Sequence, residues 1–239
     1  MLIREHITRN VDQGQLVAEI KGIYAGLMLV ESKCVDVDLL QHEIALDPER
    51  NTAPLDKKQW KALIFLHRTL LNEFHDFFLA AQHPQSTDAL KKLGTKYAMP
   101  ARMWRHGIHT FLELLRYRLP ESQEFLYFWI SVSYGMLTLM YETVPKYRDT
   151  WTECLGDLAR YRVGVETEDD DIRDQWRETG RAWYIRGTDT CPYLGRMYHH
   201  LALCARPNML IQLFYYCKAL NHLRLVWLWS RQSPASAAL

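Results

Sequence analysis

Apolar residues in this chain recur every three or four positions over nearly its whole length, the period of an amphipathic α-helix. This spacing predicts one helix over residues 15–39 and another that begins after Pro54 and Asp56. The alternating pattern of a strand is not found in the sequence, so we expect an all-α fold. The two stripes consist of Leu16, Ile20, Ile23, Leu27, Val30 and Cys34, and of Trp60, Leu63, Ile64, His67, Leu70, Leu71, Phe74 and Phe78.

Prolines, glycines and polar turn formers divide the rest of the chain into further helices. Residues 83–88 read as a surface loop, and Pro120 should end the helix before it, since the residue ahead of a proline avoids helical angles. Short connections between consecutive helices imply stacked antiparallel hairpins, as a bundle or a solenoid. Further helices are expected over about 88–97, from Pro100 to Pro120, over 122–142, from Asp149, through Trp176 and Trp183, over 198–205 and over 210–220.

Charge and cysteine usage narrow the class of protein. The chain has 239 residues, 29 basic and 28 acidic side chains and a net charge of +1, so no global field would draw it to nucleic acid or to an anionic membrane. Five widely spaced cysteines lack the paired CxxC arrangement of zinc sites and indicate reduced thiols in the cytoplasm or nucleus. The most apolar stretch, residues 125–140, is marginal for a bilayer span and is expected to be a buried helix.

The pair Leu155-Gly156 lies inside a predicted helix, where glycine costs about 1 kcal/mol relative to alanine. We therefore expect a neighbouring helix to pack closely against the missing side chain. A similar pair, Leu201-Ala202, follows 46 residues later, which exceeds the tetratricopeptide period of about 34 residues. The acidic run over residues 166–171, a solvated loop or the first turn of the next helix, would account for the excess.

These residues carry a resemblance to a known family. The run Leu-Gly-Asp-Leu-Ala-Arg-Tyr-Arg over residues 155–162, followed by Trp-Tyr, Tyr-x-x-Leu-Ala and Phe-Tyr-Tyr-Cys-Lys-Ala-Leu, resembles the 14-3-3-like tetratricopeptide domain of the Est/SMG family. The segments around Trp60 and over residues 99–107 resemble its filamentous-fungal members. The resemblance covers residues 15–220 and implies a fold of stacked antiparallel helical hairpins. Residues 1–14 would be an N-terminal arm and residues 221–239 an atypical C-terminal tail, consistent with a truncation.

The resemblance also implies a groove that binds a phosphoserine or phosphothreonine segment. It places Arg160 and Tyr161 in that groove, together with a cation from an earlier helix, for which Lys61 and Arg68 are the candidates. An arginine fork can hold a phosphate through two hydrogen bonds, and a second cation offsets its charge. The alternative is structural: Arg160 pairs with Asp157 or with a neighbouring carboxylate, and Lys61 and Arg68 form a solvated face.

The functional expectation is a non-enzymatic adaptor in nonsense-mediated RNA decay or telomere maintenance, located in the nucleus, the cytoplasm or both. Its partner would be a phosphorylated or acidic protein segment, within a complex of RNA-decay or telomerase subunits and away from membranes. We predict no catalytic residue, cofactor or metal, since the sequence has no phosphate-binding glycine loop or nucleophile elbow. The alternative is direct binding of RNA or telomeric DNA by a basic strip, formed by Arg102, Arg105, Arg116 and Arg118.

Overall fold

The structure, a computed structural model, describes the backbone of residues 12–46 and 55–232 and the side chains of residues 12–44 and 55–221. Most of that part is helical and it contains no strand, which confirms the predicted all-α fold. The helices are α1 (Gln13–Leu46), α2 (Lys57–Ala81), α3 (Asp88–Lys91), α4 (Leu93–Lys96), α5 (Met99–Arg102), a π-helical segment (Met103–His109), α6 (Thr110–Tyr117), α7 (Gln123–Thr143), a 3₁₀ turn (Pro145–Tyr147), α8 (Arg148–Val165), α9 (Asp170–Thr190), α10 (Gly195–Cys204) and α11 (Met209–Gln232).

Helix α2 shows how the local sequence sets an element. Asp56 caps its N-terminus by accepting a hydrogen bond from the backbone of Gln59, whose side chain accepts one from the backbone of Asp56 in return. Such a capping box satisfies two backbone donors that the helix leaves unpaired. All eight residues of the predicted stripe are buried. The helical period thus correctly predicted which face of α2 packs inward.

Two compact units divide the chain within α7, after Trp129. In the first unit, α1 packs against α2, and both contact the π-helical segment. In the second unit, α8 packs on α9, α9 on α10, and α10 on α11, so that consecutive helices form antiparallel hairpins. This is the expected tetratricopeptide-like arrangement, in which each hairpin buries its apolar face against the next.

The limits of the domain at residues 14 and 220 stay predictions. Helix α1 begins at Gln13, and α11 runs past residue 220 to Gln232. The side chains of residues 222–239, nearly all of the predicted C-terminal tail, lie outside the described part of the chain. Within the part of the chain that the structure covers, no helix is both long and apolar enough to cross a membrane.

The π-helical segment was not predicted, since the sequence indicated a regular helix after Pro100. Its last turn closes when the backbone amide of Thr110 donates to the carbonyl of Arg105, five residues back, and the Thr110 hydroxyl donates to the same oxygen at 2.7 Å. Gly107 allows the segment to approach α2 closely, because an added Cβ would lie 2.9 Å from Cδ2 of Leu71. Turns of this type occur often at functional sites.

Helix α11, predicted over residues 210–220, has apolar residues at helical spacing along one stripe. The stripe is exposed, while Ala219 on another side of the helix is buried with Tyr198 and Leu201 of α10. A small residue lets the two helices approach, and the larger apolar residues then face outward. The exposed stripe, hereafter the α11 stripe, consists of Leu210, Leu213, Phe214, Cys217 and Leu220.

Among the tryptophans of the helices, Trp60, Trp129 and Trp151 are buried. Trp104 and Trp183 are only half-buried.

Candidate functional site

Gly156 lies against the ring of Tyr184, where α8 and α9 meet. An added Cβ would lie 2.5 Å from Cε1 of Tyr184 and 2.7 Å from its Cζ, closer than real Cβ atoms approach other carbons. Gly180 of α9 also faces α8, where its added Cβ would make an ordinary van der Waals contact, 3.5 Å from the carbonyl oxygen of Gly156. The close packing predicted at Gly156 is therefore confirmed, with Tyr184 as the group that fills the space.

Asp157, next to Gly156, is the centre of a polar cluster between α8, α9 and α10. Its Oδ1 accepts a hydrogen bond of 2.7 Å from the Tyr184 hydroxyl and one of 3.3 Å from Nη2 of Arg160. Nδ1 of His200 lies 3.8 Å from the same oxygen, and the imidazole stacks on the Tyr184 ring with 4.8 Å between centroids. Three helices thus contribute one side chain each to a single carboxylate.

Burial and charge in the Asp157 cluster shift several pKa values. Burial raises the pKa of Tyr184, and the nearby Asp157 carboxylate raises it further, so the phenol stays protonated and donates. Burial lowers the pKa of His200 despite the opposing attraction of Asp157, so this imidazole is mainly neutral at pH 7. Burial alone would lower the pKa of Arg160, but Tyr184 and Asp157 outweigh it and keep the guanidinium charged.

Arg160 and Tyr161, both predicted site residues, are adjacent on α8 and in contact. The Arg160 guanidinium carbon lies 6.0 Å from the centroid of the Tyr161 ring, and 39% of the Arg160 side chain is exposed. The structural pair of Arg160 with Asp157, considered from the sequence as the alternative, is present. Asp157 contacts Nη2 in this pair and so orients the guanidinium, whose Nε is buried without a hydrogen-bond partner among the described residues.

A second ion pair continues the cluster on α10. Nη2 of Arg196 lies 2.7 Å from Oε2 of Glu153, and His200 lies 3.9 Å from the other oxygen of that carboxylate. Burial raises the pKa of Glu153, while Arg196 opposes the shift. The cluster therefore has two carboxylates and two guanidiniums. An anion that binds there must compete with Asp157 and Glu153 for the arginines.

Lys61 and Arg68, the predicted second cations, lie on α2 in the first unit. Both are exposed, whereas Arg160 and Tyr161 belong to the second unit. Their role beside Arg160 stays a prediction.

The acidic run between α8 and α9 includes an anchored residue and a helix cap. Glu166 is buried, forms an ion pair of 2.6 Å with Arg162, and accepts hydrogen bonds from the backbone amides of Glu168 and Asp169. Asp169 caps α9 by accepting from the amide of Ile172 at 3.0 Å. The run is thus a short anchored loop followed by the acidic first turn of α9, which favours negative charge.

The basic strip proposed for nucleic acid is partly neutralised. Arg102 forms an ion pair with the buried carboxylate of Glu31 and also contacts the sulfur of Met28. Arg116 pairs with Glu113 at 2.6 Å, one turn away on α6. The pairing of Arg102 with Glu31 could not be predicted from residue spacing, because these residues are 71 positions apart, whereas that of Arg116 with Glu113 has the i,i+3 spacing of a helical pair. The described residues also contain no group of three or more side chains arranged to hold a metal ion.

Comparison with known proteins gives one informative similarity. EST/SMG-like protein 2 of Saccharomyces cerevisiae is 22% identical over 158 residues, which is 64% of this chain and 13% of that protein. This supports an Est/SMG-like relationship. The chain thus matches only about an eighth of its relative's length. No protein-family model and no solved structure matches the chain.

Tyr184 was missed as a member of the site, although the sequence contains a signal for it. Gly180, Tyr184 and Pro192 have the order of the small residue, aromatic and proline that close a tetratricopeptide repeat. The next repeat signal, Tyr198-x-x-Leu201-Ala202, follows directly. Aligning the second helix of the motif with Gly180, Tyr184 and Pro192, and then its first helix with Gly156, would have predicted the contact of Tyr184 with Gly156.

Proposed function

We propose that this chain is a non-enzymatic adaptor that binds a phosphorylated or acidic protein segment at Arg160, in RNA decay or telomere maintenance. The pathway follows from the similarity to an EST/SMG-like protein, and the nucleus or cytoplasm would be its location. The observation that carries the proposal is the state of Arg160: its guanidinium is charged and oriented by Asp157, and 39% of its side chain is exposed.

The balanced charge of the cluster favours a phosphate over a carboxylate as the ligand. A phosphate monoester carries about −1.5 to −2 charges at pH 7 and three acceptor oxygens, so it competes better with Asp157 for the guanidinium than a single carboxylate does. Tyr161, beside Arg160, offers a hydroxyl as a further donor. A guanidinium that is already oriented loses less conformational entropy when the ligand binds.

The test measures binding of fluorescent serine-phosphorylated peptides and of their unmodified counterparts. We expect Arg160→Glu to abolish the preference for the phosphorylated form while helical content is retained. Arg160→Lys should weaken binding by about tenfold, since lysine keeps the charge and loses the planar fork.

A matched control for the charge reversal lies on α9. Arg181 pairs with Glu178 at 3.1 Å and i,i+3 spacing, the same local arrangement as Arg160 with Asp157. Arg181→Glu should leave phosphopeptide binding unchanged. Equal loss in both variants, or unchanged affinity in Arg160→Glu, would remove Arg160 from the site.

A second candidate function, binding of single-stranded nucleic acid, is favoured by a different surface of the second unit. The guanidinium carbons of Arg148 and Arg186 lie 4.9 and 5.8 Å from the centroid of the Tyr141 ring, and that of Arg186 lies 5.3 Å from Trp183. Neither arginine has an ion-pair partner among the described residues. Exposed guanidiniums beside aromatic rings are typical of single-strand binding proteins.

The aromatic surface extends along α7 and α9. Tyr134 accepts a hydrogen bond of 2.7 Å from the indole of Trp183 and meets the edge of Trp176, with 5.5 Å between centroids. Salt-dependent binding of labelled oligonucleotides tests this candidate, because each phosphate contact steepens the dependence on salt. The double variant Arg148→Ala, Arg186→Ala should reduce the slope of log affinity against log salt concentration by the equivalent of about two phosphate contacts. A slope that both substitutions leave unchanged would exclude this surface.

A further inference from the structure

A groove in the first unit is lined by none of the residues of the Arg160 cluster or of the aromatic surface of α7 and α9, which belong to the second unit. Its volume is about 880 Å³, within the range of roughly 300–1,000 Å³ that ligand sites occupy. One wall is α1 and the other is the π-helical segment with α6. The residues that line the groove include Val35, Leu39, Arg105, Glu113, Arg116 and Tyr117.

Each wall of the groove is one face of a helix. On α1 the lining residues are Val35, Asp38, Leu39 and His42, at the i, i+3, i+4 and i+7 spacing of a stripe that packs against another helix. This stripe spans about 10 Å, or two helical turns. Leu39 is 56% exposed, although it occupies an apolar position of the stripe. Asp38 of this stripe is buried against His67 of α2, so among the described residues the α1 wall leaves Leu39 and His42 uncovered.

The opposite wall repeats this arrangement. Leu114 forms its apolar base, and Tyr117, at the end of α6, is 59% exposed. The π-helical segment adds Arg105, His106 and His109 to the same side. The groove thus has aliphatic and aromatic side chains on its walls and a basic edge at Arg105. This combination suits an amphipathic helix better than a small polar ligand.

Charge determines which kind of helix fits. Both carboxylates of the groove already have a basic partner, since Asp38 lies 3.2 Å from the imidazole of buried His67 and Glu113 lies 2.6 Å from Arg116. Arg105 is exposed and forms no ion pair with any residue that the structure describes. A helix with acidic residues beside its apolar stripe would provide the missing counter-charge.

We propose that this groove binds an acidic amphipathic helix of a partner protein. Its aliphatic side chains lie between Leu39 and Leu114, and its carboxylates face Arg105. The site is independent of the Arg160 cluster, which belongs to the second unit. The chain then has two separate peptide sites. One binds a charged group through Arg160, and the other binds one face of an amphipathic helix.

The test uses fluorescence anisotropy with a labelled, end-capped peptide of about four helical turns. Leucines are placed at i, i+3, i+4 and i+7, and glutamates at the flanking positions. Two further peptides serve as probes, a scrambled sequence of the same composition and a version with lysine in place of glutamate. The full chain should bind the acidic amphipathic peptide at least about tenfold more tightly than either of the others.

Variants of the groove locate the binding. Leu39→Asp and Arg105→Glu should each weaken binding about tenfold or more, because one places a charge in the apolar wall and the other reverses the basic edge. The matched controls are Leu29→Asp and Lys33→Glu, exposed residues of α1 that do not line the groove, and they should stay within about twofold of the wild-type affinity. Circular dichroism verifies that all four variants keep their helical content.

Four results would overturn the proposal. Binding of the scrambled peptide with the same affinity as the acidic amphipathic peptide would indicate nonspecific hydrophobic binding. Equal weakening by Leu29→Asp would place the site elsewhere on α1. Self-association of the wild-type chain that Leu39→Asp removes would show that a second copy occupies the groove. Displacement of the bound peptide by an equimolar single-stranded oligonucleotide would assign the groove to nucleic acid.

Discussion

Replacing Gly156 by alanine tests the packing on which the Arg160 cluster depends. Alanine favours the interior of a helix over glycine by about 1 kcal/mol, so on propensity alone the substitution would stabilise α8. The added Cβ would, however, lie 2.5 Å from Cε1 of Tyr184, an atom of a rigid ring in a buried side chain. Overpacking of this kind costs about 1–3 kcal/mol or more. We therefore expect a net loss of about 1–2 kcal/mol in the free energy of unfolding, measured by urea denaturation.

The matched control is Gly135→Ala in α7. Gly135 is exposed, and an added Cβ would meet nothing within 4 Å, so only the gain in helix propensity remains. This variant should be more stable than the wild type by up to about 1 kcal/mol. A Tyr184→Leu background completes the cycle: there Gly156→Ala should no longer destabilise, and the coupling energy should reach about 2 kcal/mol. If Gly156→Ala and Gly135→Ala change stability in the same direction, the close contact does not exist.

Three more measurements follow from the same contacts. Tyr184→Phe removes the donor to Asp157 and should cost about 1–2 kcal/mol of unfolding free energy in urea titrations. Burial would raise the pKa of Glu166, but the backbone amide of Glu168 and the guanidinium of Arg162 outweigh it and hold this pKa below its ordinary value. The ionised Glu166 therefore stabilises the fold at any pH above its pKa in the unfolded chain, and this stabilisation is lost as the pH falls through its pKa in the folded protein. Glu166→Gln should therefore lower the melting temperature at pH 7 and make its fall in acid shallower. Leu201→Ala, at a buried site, should cost about 2–5 kcal/mol, and Leu213→Asp, on the exposed side of α11, less than about 0.5 kcal/mol by the same assay.

Helical periodicity predicted the fold well where one face of a helix is clearly apolar. The stripe of α2 is buried at all eight predicted positions, and Gly156 correctly indicated close packing. Periodicity shows that a face is apolar, but not whether a neighbour covers it. The α11 stripe is as regular as that of α2 and is nevertheless exposed, because α10 packs against the side with Ala219.

The π-helical segment could not be predicted because its cause is tertiary. It depends on the contact of Gly107 with Leu71 and on two hydrogen bonds from Thr110 to a single carbonyl. The pairing of Arg102 with Glu31 is similar, since these residues are 71 positions apart. Local sequence cannot encode contacts whose partner is set by the packing of another helix.

The α11 stripe provides a practical handle for chemistry on this molecule. Cys217 lies at its middle and is exposed, whereas burial raises the pKa of Cys34 to about 12 and that of Cys204 to about 11. A thiolate is the reactive form of cysteine, so a maleimide dye at neutral pH should label Cys217 well before Cys34 and Cys204. Any molecule that binds to the leucines of the α11 stripe would shield a dye on Cys217 from a soluble quencher. Fluorescence from this one position therefore reports directly whether the outer surface of α11 is occupied.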